Sequence, residues 1–130
     1  MVTDPISDFI TRIKNASAAR KVLVEVPYSS VKEAIAHALE KGGYLKSIEK
    51  KGKKVVKTLE FELVYVNGLP RVQDVDRVSK PSRRIYQKSK DIRVFKSGYG
   101  NIVYSTPRGV LLDTDARKLK VGGEVLFKIW

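Results

Sequence analysis

The spacing of apolar residues changes along this chain, and this change constrains the fold more than any other feature of the sequence. Before residue 67, two stretches carry apolar side chains at intervals of three and four, the period of an amphipathic helix, and strand-like runs separate and follow them. After residue 70, short runs alternate with a period of two, and one short helix interrupts them. This segregation of the two periods predicts an α+β fold.

The first half predicts a helix, a strand, a second helix and a hairpin. Asp4 and Pro5 supply an N-cap and a first helical residue. Ser30 and Glu33 match a capping box for the second helix, and the glycines at 42–43 end it. The hairpin is predicted to turn at residues 51–53. The predicted apolar positions are Ile6, Phe9, Ile10 and Ile13 in the first helix, Val22, Val24 and Val26 in the strand, and Val31, Ala34, Ile35, Ala38 and Leu39 in the second helix.

Residues 67–70, with the sequence Asn-Gly-Leu-Pro, are predicted to separate two domains, because glycine and proline interrupt regular structure. The prediction is an N-terminal α/β domain over residues 1–66 and a mainly β C-terminal domain over residues 67–130. Strands of the second domain are predicted near residues 72–78, 84–86, 102–106, 109–112 and 124–130. Asp113 is predicted to cap its one short helix.

The residue types present exclude several kinds of catalytic and metal site. Without cysteine there is no disulfide, thiolate zinc site, iron–sulfur cluster or cysteine nucleophile, and His37 is the single histidine. Ser29 with Lys32, and Ser47 with Lys50, match a Ser-x-x-Lys pattern but lack the partner motifs of such enzymes. We therefore predict a protein that is not an enzyme, with no cofactor, metal or small-molecule substrate.

The net charge indicates the class of partner. The chain has 26 basic and 14 acidic residues, which give a formal charge of +12 over 130 residues. Such a charge favours a polyanion, and in a cell this usually means nucleic acid. An anionic membrane surface is the second choice, but neither helical stripe resembles a basic interfacial helix. The N-terminus resembles no secretory signal, so the expected location is the cytoplasm.

The densest positive charge lies in residues 77–96, which carry eight basic side chains and one acidic one. Lysine and arginine attract phosphates without regard to sequence. Arg83 and Arg84, close to Tyr86, add planar groups that can stack on exposed bases or grip phosphates. Taken alone, this window could also be a solvated basic face.

A short loop of small polar residues between two predicted strands is a second candidate for nucleic-acid contact. It consists of Ser105, Thr106, Pro107, Arg108 and Gly109. Its hydroxyls donate or accept hydrogen bonds, which suits base edges and the ribose 2′-OH. Gly122, Gly123 and Glu124 are a third candidate, because a carboxylate accepts from base amino groups where a cation cannot. A simple turn and a glutamate that only neutralises charge are the alternatives.

The sequence lacks the signatures of the common RNA-binding modules. It has no G-x-x-G loop of the KH type, no aromatic-rich segment of the RRM type and no zinc finger. The residues by themselves therefore predict a basic α+β protein that binds RNA or DNA.

Five segments resemble the bacterial type of the small-subunit ribosomal protein number eight family. They are DPISDF with TRIKNA at residues 4–16, RVSKPSRRIY at 77–86, the Gly-x-Gly to Ser-Thr run at 98–106, GVLLDTDARK at 109–118 and GGEVLFKIW at 122–130. They follow one another in the family's order along the whole chain. Pro107 stands where many relatives have serine, and Ser82 stands where glycine is usual.

The resemblance implies two small packed α+β domains and a primary binder of small-subunit rRNA. It implies recognition of an irregular helix in the RNA's central domain, a need for the protein in subunit assembly, and neighbouring ribosomal proteins as partners. Bacterial members also commonly repress their own operon through its mRNA. The implied rRNA-binding residues are Ser105, Thr106, Pro107, Arg108, Gly109, Gly123, Glu124, Lys80, Pro81, Arg83, Arg84, Tyr86, Thr3, Asp4, Arg12 and Asn15.

Two functions of other classes stay open at this point. One is an RNA chaperone or translational repressor outside the ribosome, which would fail to co-sediment with small subunits. The other is a basic adaptor that assembles ribosomal neighbours without contacting RNA itself, whose complexes would resist ribonuclease.

Overall fold

The computed structural model describes residues 4–53 and 56–130, and these residues form the predicted α+β fold. The helices are α1 Pro5–Ala18, α2 Ser30–Lys41 and α3 Asp113–Leu119. The strands are β1 Leu23–Pro27, β2 Leu45–Lys53, β3 Val56–Leu63, β4 Tyr65–Val66, β5 Leu69–Pro70, β6 Val75–Arg77, β7 Tyr86–Gln87, β8 Asn101–Thr106, β9 Gly109–Leu112 and β10 Gly123–Ile129. Each described strand pair is antiparallel.

The chain forms two compact units, Met1–Gln73 and Asp74–Trp130. This division reflects contacts within each unit and not independent folding. The domain boundary between residues 66 and 67 therefore stays a prediction. In the first unit, the sheet has the order β1-β3-β2, and α1 and α2 pack against it. Phe9, Ile13, Ile35 and Phe61 are fully buried there, and the rings of Phe9 and Phe61 meet edge to face at 5.5 Å. The predicted order of helix, strand, helix and hairpin is confirmed.

The two helices of the first unit differ in how well their caps were predicted. Asp4 caps α1 as predicted, because its carboxylate accepts a hydrogen bond from the Ser7 N–H at 3.2 Å. The capping box at Ser30 is wrong: Ser29 is the N-cap, and its hydroxyl accepts from the Lys32 N–H. The buried face of α2 includes Lys32, which is 6% exposed, whereas Val31 is exposed. The Lys32 ammonium is satisfied by the carbonyl of Pro27.

Two turns of the first half also differ from the prediction. Residues 51–53 do not turn; they continue β2, where Gly52 pairs with Lys57 of β3. Lys54 and Val55 lie outside the described residues. Asn67 and Gly68 join β4 to β5 as a two-residue turn, and both have positive φ, at 53° and 78°. This is the hairpin turn that an Asn-Gly pair favours.

In the second unit, β10 lies inside a sheet of order β6-β10-β8-β9, and β7 also pairs with it. Ile92, Tyr104, Ala116 and Val125 form the buried cluster on one side of this sheet. The strands predicted at 72–78 and 84–86 are shorter or displaced, since the structure has Val75–Arg77 and Tyr86–Gln87.

Asp113 does not cap α3, contrary to the prediction. Leu112 occupies the N-cap position, and Asp113 is the first helical residue, at 1% exposure. Its carboxylate accepts hydrogen bonds from the Asn101 side-chain amide at 2.7 Å and from Arg117 at 3.1 Å, with the Ile102 N–H at 3.4 Å. Asp113 therefore links α3 to β8 through hydrogen bonds and does not serve as the N-cap of the helix.

Tyr104 gives the second unit a predictable response to alkaline pH. Its ring is fully buried and its hydroxyl donates to Gln87 Oε1 at 2.6 Å. Burial, and secondarily the negative charge of Asp113, raise the pKa of Tyr104 to about 12 from its ordinary value near 10. As pH rises, Tyr104 therefore loses its proton in the unfolded chain before it does so in the folded protein. The contribution of Tyr104 to the free energy of unfolding is complete below pH 10 and is lost as pH rises towards 12.

We therefore expect the thermal midpoint of the protein to fall more steeply between pH 10 and 12 than that of Tyr104→Phe. Parallel curves for the two proteins over this range would contradict the assignment. The comparison with Tyr104→Phe isolates the tyrosine from the lysines, which titrate in the same range in both proteins.

Candidate nucleic-acid interface

Three of the predicted contact residues form a row across neighbouring strands of the second unit. Glu124 of β10 lies directly opposite Tyr86 of β7 on one side and Ser105 of β8 on the other. Residues directly opposite one another in antiparallel strands present their side chains on the same face. The next pair along, Val125 and Tyr104, is buried on the opposite face, so the row lies on the solvent side of the sheet.

The row borders an open groove of about 710 Å³. The groove is lined by Tyr86, Gln87, Lys88, Ser89, Ser105, Thr106, Pro107, Gly122, Gly123 and Glu124. The structure thus brings together six of the predicted residues, from three segments that are 16 or more positions apart in the chain. Arg108 and Gly109 complete the adjoining loop without lining the groove.

Gly122 and Gly123 let the strands approach closely beside the groove. A Cβ at Gly122 would overlap the carbonyl oxygen of Gln87, and one at Gly123 would overlap that of Ser105. Backbone stands in the way in both cases, so no side-chain rotation makes room. The two glycines therefore set the floor of the groove, and Gly123 has this role in addition to any contact with nucleic acid.

The two hydroxyls of the polar loop have different surroundings. Thr106 Oγ1 donates to the Gly109 carbonyl at 2.8 Å and accepts from the Arg108 N–H at 3.0 Å. It holds the loop in shape, and Gly109 adopts a φ of 102° at its end. Ser105 Oγ is exposed and takes part in none of the side-chain hydrogen bonds of the described residues. Ser105 is therefore the hydroxyl that is available to a ligand.

A buried serine supports the basic turn next to β7. The backbones of Lys80 and Arg83 bond each other in both directions, and Pro81 lies at the exposed tip between them. Ser79 is fully buried; its hydroxyl donates to the Ile85 carbonyl and accepts from the Ile85 N–H. This closed turn holds the Lys80 and Arg83 side chains in solvent.

Arg84 forms an ion pair with Glu124. Its Nη1 lies 3.3 Å from Oε1 and 3.1 Å from Oε2 of the carboxylate. The Glu124 side chain is 14% exposed, whereas that of Arg84 is 56% exposed. Tyr86, two residues further along, is 67% exposed. A cation, a carboxylate, an aromatic ring and a hydroxyl are thus grouped at one edge of the groove.

The predicted residues near the N-terminus belong to the first unit. Thr3 lies outside the described residues, and the Asp4 carboxylate is engaged in capping α1. Arg12 pairs with Asp8 at 3.4 Å. Arg12 and Asn15 line a second cavity, of about 360 Å³, beside β1.

Sequence reasoning missed several residues that shape the groove. Gln87, Lys88 and Ser89 line it, and Ser79 supports the adjoining turn. The Gly-Gly pair at 122–123 was a visible signal for close strand approach. Ser79 lies within the segment 77–86, but its residue type does not mark it as buried support of the turn. Gln87 follows that segment, and its place in the groove depends on its pairing with Gly123, a register that the periodicity of a short strand specifies only weakly.

The described residues provide neither a metal site nor a membrane span. Over 4–53 and 56–130, no three acidic or histidine side chains group together as metal ligands. None of the described helices is both long and apolar enough to cross a bilayer.

Comparison with known proteins assigns relatives over the full chain. A family model described as "Ribosomal protein S8" matches residues 4–130. The small ribosomal subunit protein uS8 of Mycoplasmopsis synoviae (strain 53) is 44% identical over 130 residues, which covers 99% of this chain and 98% of the relative. The uS8 protein of Clostridium acetobutylicum is 42% identical, over 100% of this chain and 99% of the relative. The uS8 protein of Dictyoglomus thermophilum is 43% identical, over 99% of this chain and 98% of the relative.

Proposed function

Because this chain belongs to the ribosomal protein S8 family, we propose that it binds the central domain of small-subunit rRNA directly and that subunit assembly needs this binding. As a family member it is a structural constituent of the small ribosomal subunit in the cytoplasm, and the family is not enzymatic. The observation that carries the proposal is the row of Tyr86, Glu124 and Ser105 at the edge of the groove. Residues 67–130 are the proposed rRNA-recognition domain.

The chemistry of the row suits an irregular RNA helix. Regular RNA helices hide their major groove, so specific recognition depends on bulges, unstacked bases and the shape of the minor groove. Tyr86 offers an exposed ring for stacking, Ser105 offers a hydroxyl to a base edge or 2′-OH, and Glu124 accepts from amino groups. These groups distinguish one RNA structure from another, whereas a cation attracts the phosphates of any RNA.

The basic window supplies affinity without specificity in this proposal. Residues 77–96 carry eight basic side chains, and Lys80 and Arg83 project from the closed turn. Their attraction for phosphate applies to any RNA. Asp4, Arg12 and Asn15 on α1, together with Thr3, are proposed as further rRNA contacts, which rests on the family alone.

Binding competition tests the proposal. The protein is mixed with labelled full-length small-subunit rRNA in the presence of a large excess of unlabelled bulk duplex RNA. We expect a complex that survives the competitor. A complex that the competitor removes would contradict specific binding and favour an RNA chaperone or a basic adaptor.

Repression of the protein's own operon is a second proposed activity of the same groove, again from the family. An mRNA site that imitates the rRNA site would use the same residues. Unlabelled operon mRNA should therefore displace labelled rRNA, and this displacement should weaken with the variants described next.

Ser105→Ala and Thr106→Val distinguish a hydroxyl that contacts RNA from a hydroxyl that stabilises the loop. Loss of the Ser105 hydroxyl is expected to weaken the rRNA complex by about 1–3 kcal/mol, because an RNA polar group is left unpaired. Bulk duplex binding and protein stability should change by less than about 0.5 kcal/mol. Thr106→Val should weaken the rRNA complex and also lower the thermal midpoint, since Thr106 bonds its own loop. Equal loss on both RNAs for Ser105→Ala would contradict the role of Ser105.

Lys90→Ala tests the nonspecific part of binding. Lys90 is exposed and lies in the basic window. We expect its replacement to weaken rRNA and bulk duplex alike, and to reduce the slope of log affinity against log salt by about one. The measurement is a salt titration of both complexes, and an unchanged slope would place Lys90 off the interface.

A further inference from the structure

The Glu124 carboxylate is placed where an RNA ligand should repel it. It lies on the central strand of the row, at 14% exposure, next to a region that binds phosphates in the proposed function. A bare carboxylate facing a polyanion raises the energy of the complex. A nearby cation with fixed geometry offsets this repulsion.

Arg84 is that cation, and it also restricts the orientation of the Glu124 carboxylate. One guanidinium nitrogen, Nη1, contacts both carboxylate oxygens, at 3.3 and 3.1 Å. A contact shared by both oxygens limits rotation of the carboxylate about its own bond. Each carboxylate oxygen has two lone pairs, so acceptor capacity remains for donors on a ligand.

We propose that Arg84 is a positioning residue that holds Glu124 for RNA recognition, and that it is not primarily a phosphate contact. The inference rests on the proposed function, because it assigns the role of one residue within the same site. Specificity for the cognate RNA would then depend on Arg84 through Glu124.

The neighbouring arginine provides a matched control. Arg83 has the same charge and is also exposed, but its backbone closes the turn with Lys80. Among the ion pairs of the described residues, the Glu124 partner is Arg84 and none includes Arg83. Arg83→Gln therefore removes one positive charge from the window without changing the Glu124 carboxylate.

The experiment measures dissociation constants of four variants for full-length small-subunit rRNA and for bulk duplex RNA. The variants are Arg84→Gln, Arg83→Gln, Glu124→Gln and the double variant Arg84→Gln with Glu124→Gln. Thermal unfolding confirms that each is folded. We expect Arg84→Gln to lose about tenfold more rRNA affinity than Arg83→Gln. Both should lose the same modest affinity for bulk duplex.

The double variant decides whether Arg84 acts through Glu124. Once Glu124 is neutral, loss of Arg84 should weaken rRNA binding no more than Arg83→Gln does, which is a non-additive result. Two results would overturn the inference and make Arg84 a phosphate contact. One is an equal loss of affinity for Arg84→Gln and Arg83→Gln on both RNAs, and the other is a double variant whose loss of rRNA affinity is the sum of the two single losses. If the unsubstituted protein itself shows no preference for rRNA over duplex, the proposed function fails, and the inference fails with it.

Discussion

Replacing Gly123 with alanine is expected to lower the free energy of unfolding by about 3 kcal/mol and to abolish the preference for rRNA. The added methyl would overlap the Ser105 carbonyl oxygen and press on the Thr106 Cα. Because this obstacle is backbone, β10 and β8 have to separate where Glu124 pairs with Ser105. The row of contact residues and the adjoining loop are then displaced together.

The control for Gly123 is Gly68→Ala in the first unit. Gly68 has a φ of 78°, but beyond its two chain neighbours no atom lies within 4 Å of its added Cβ. Only the left-handed backbone is disfavoured there, at about 1 kcal/mol. Urea unfolding and competition binding on both variants separate the two effects. A Gly123→Ala protein that keeps its stability and its rRNA preference would contradict the described contact of β10 with β8.

Asp113→Ala is expected to destabilise the protein by about 3 kcal/mol. The carboxylate is 1% exposed and accepts from Asn101 and Arg117, so its removal leaves a partly buried guanidinium without this carboxylate and an amide without its acceptor. The second unit should lose stability because α3 loses its attachment to β8. Urea unfolding measures the effect.

Asp91→Ala is the matched control for Asp113. Asp91 is an exposed aspartate at the end of a three-residue 3-10 helix, Ser89–Asp91. Its replacement is expected to change the free energy of unfolding by less than about 0.5 kcal/mol. Equal effects of the two substitutions would show that the Asp113 network contributes little.

Much of the fold could be predicted, because it depends on local spacing. The α+β class, the order of elements in the first half and the Asp4 cap are confirmed. The family resemblance is confirmed as well, since five motifs in series specify it and the family match covers residues 4–130. Membership also supports the prediction of a ribosomal protein that is not an enzyme.

The errors arose where a local signal competes with a neighbouring signal or with a tertiary contact. Ser29 and Ser30 are both good caps, and Ser29 is the one that caps α2. The packing of α2 also buries Lys32 and leaves Val31 exposed. A lysine-glycine-lysine run resembles a turn, yet Gly52 stays paired in the sheet. Asp113 resembles an N-cap, but its carboxylate instead accepts a hydrogen bond from Asn101, 12 positions earlier in the chain.

The grouping at the site could be predicted only in part. The loop and the basic window are local, so their residues were identified together. The pairing of Arg84 with Glu124 joins residues 40 positions apart, and the support of the basic turn by Ser79 depends on burial. Neither is visible in the periodicity of the sequence, because both depend on how the turn at residues 79–85 is placed beside β10.

In the proposed function, this protein recognises one structured site in small-subunit rRNA. The decisive experiment is footprinting on naked full-length small-subunit rRNA, at moderate salt and with bulk duplex RNA as competitor. We expect one compact protected site in the central domain that survives the competitor. Diffuse protection that the competitor abolishes would contradict it and would mean that binding is driven by charge alone.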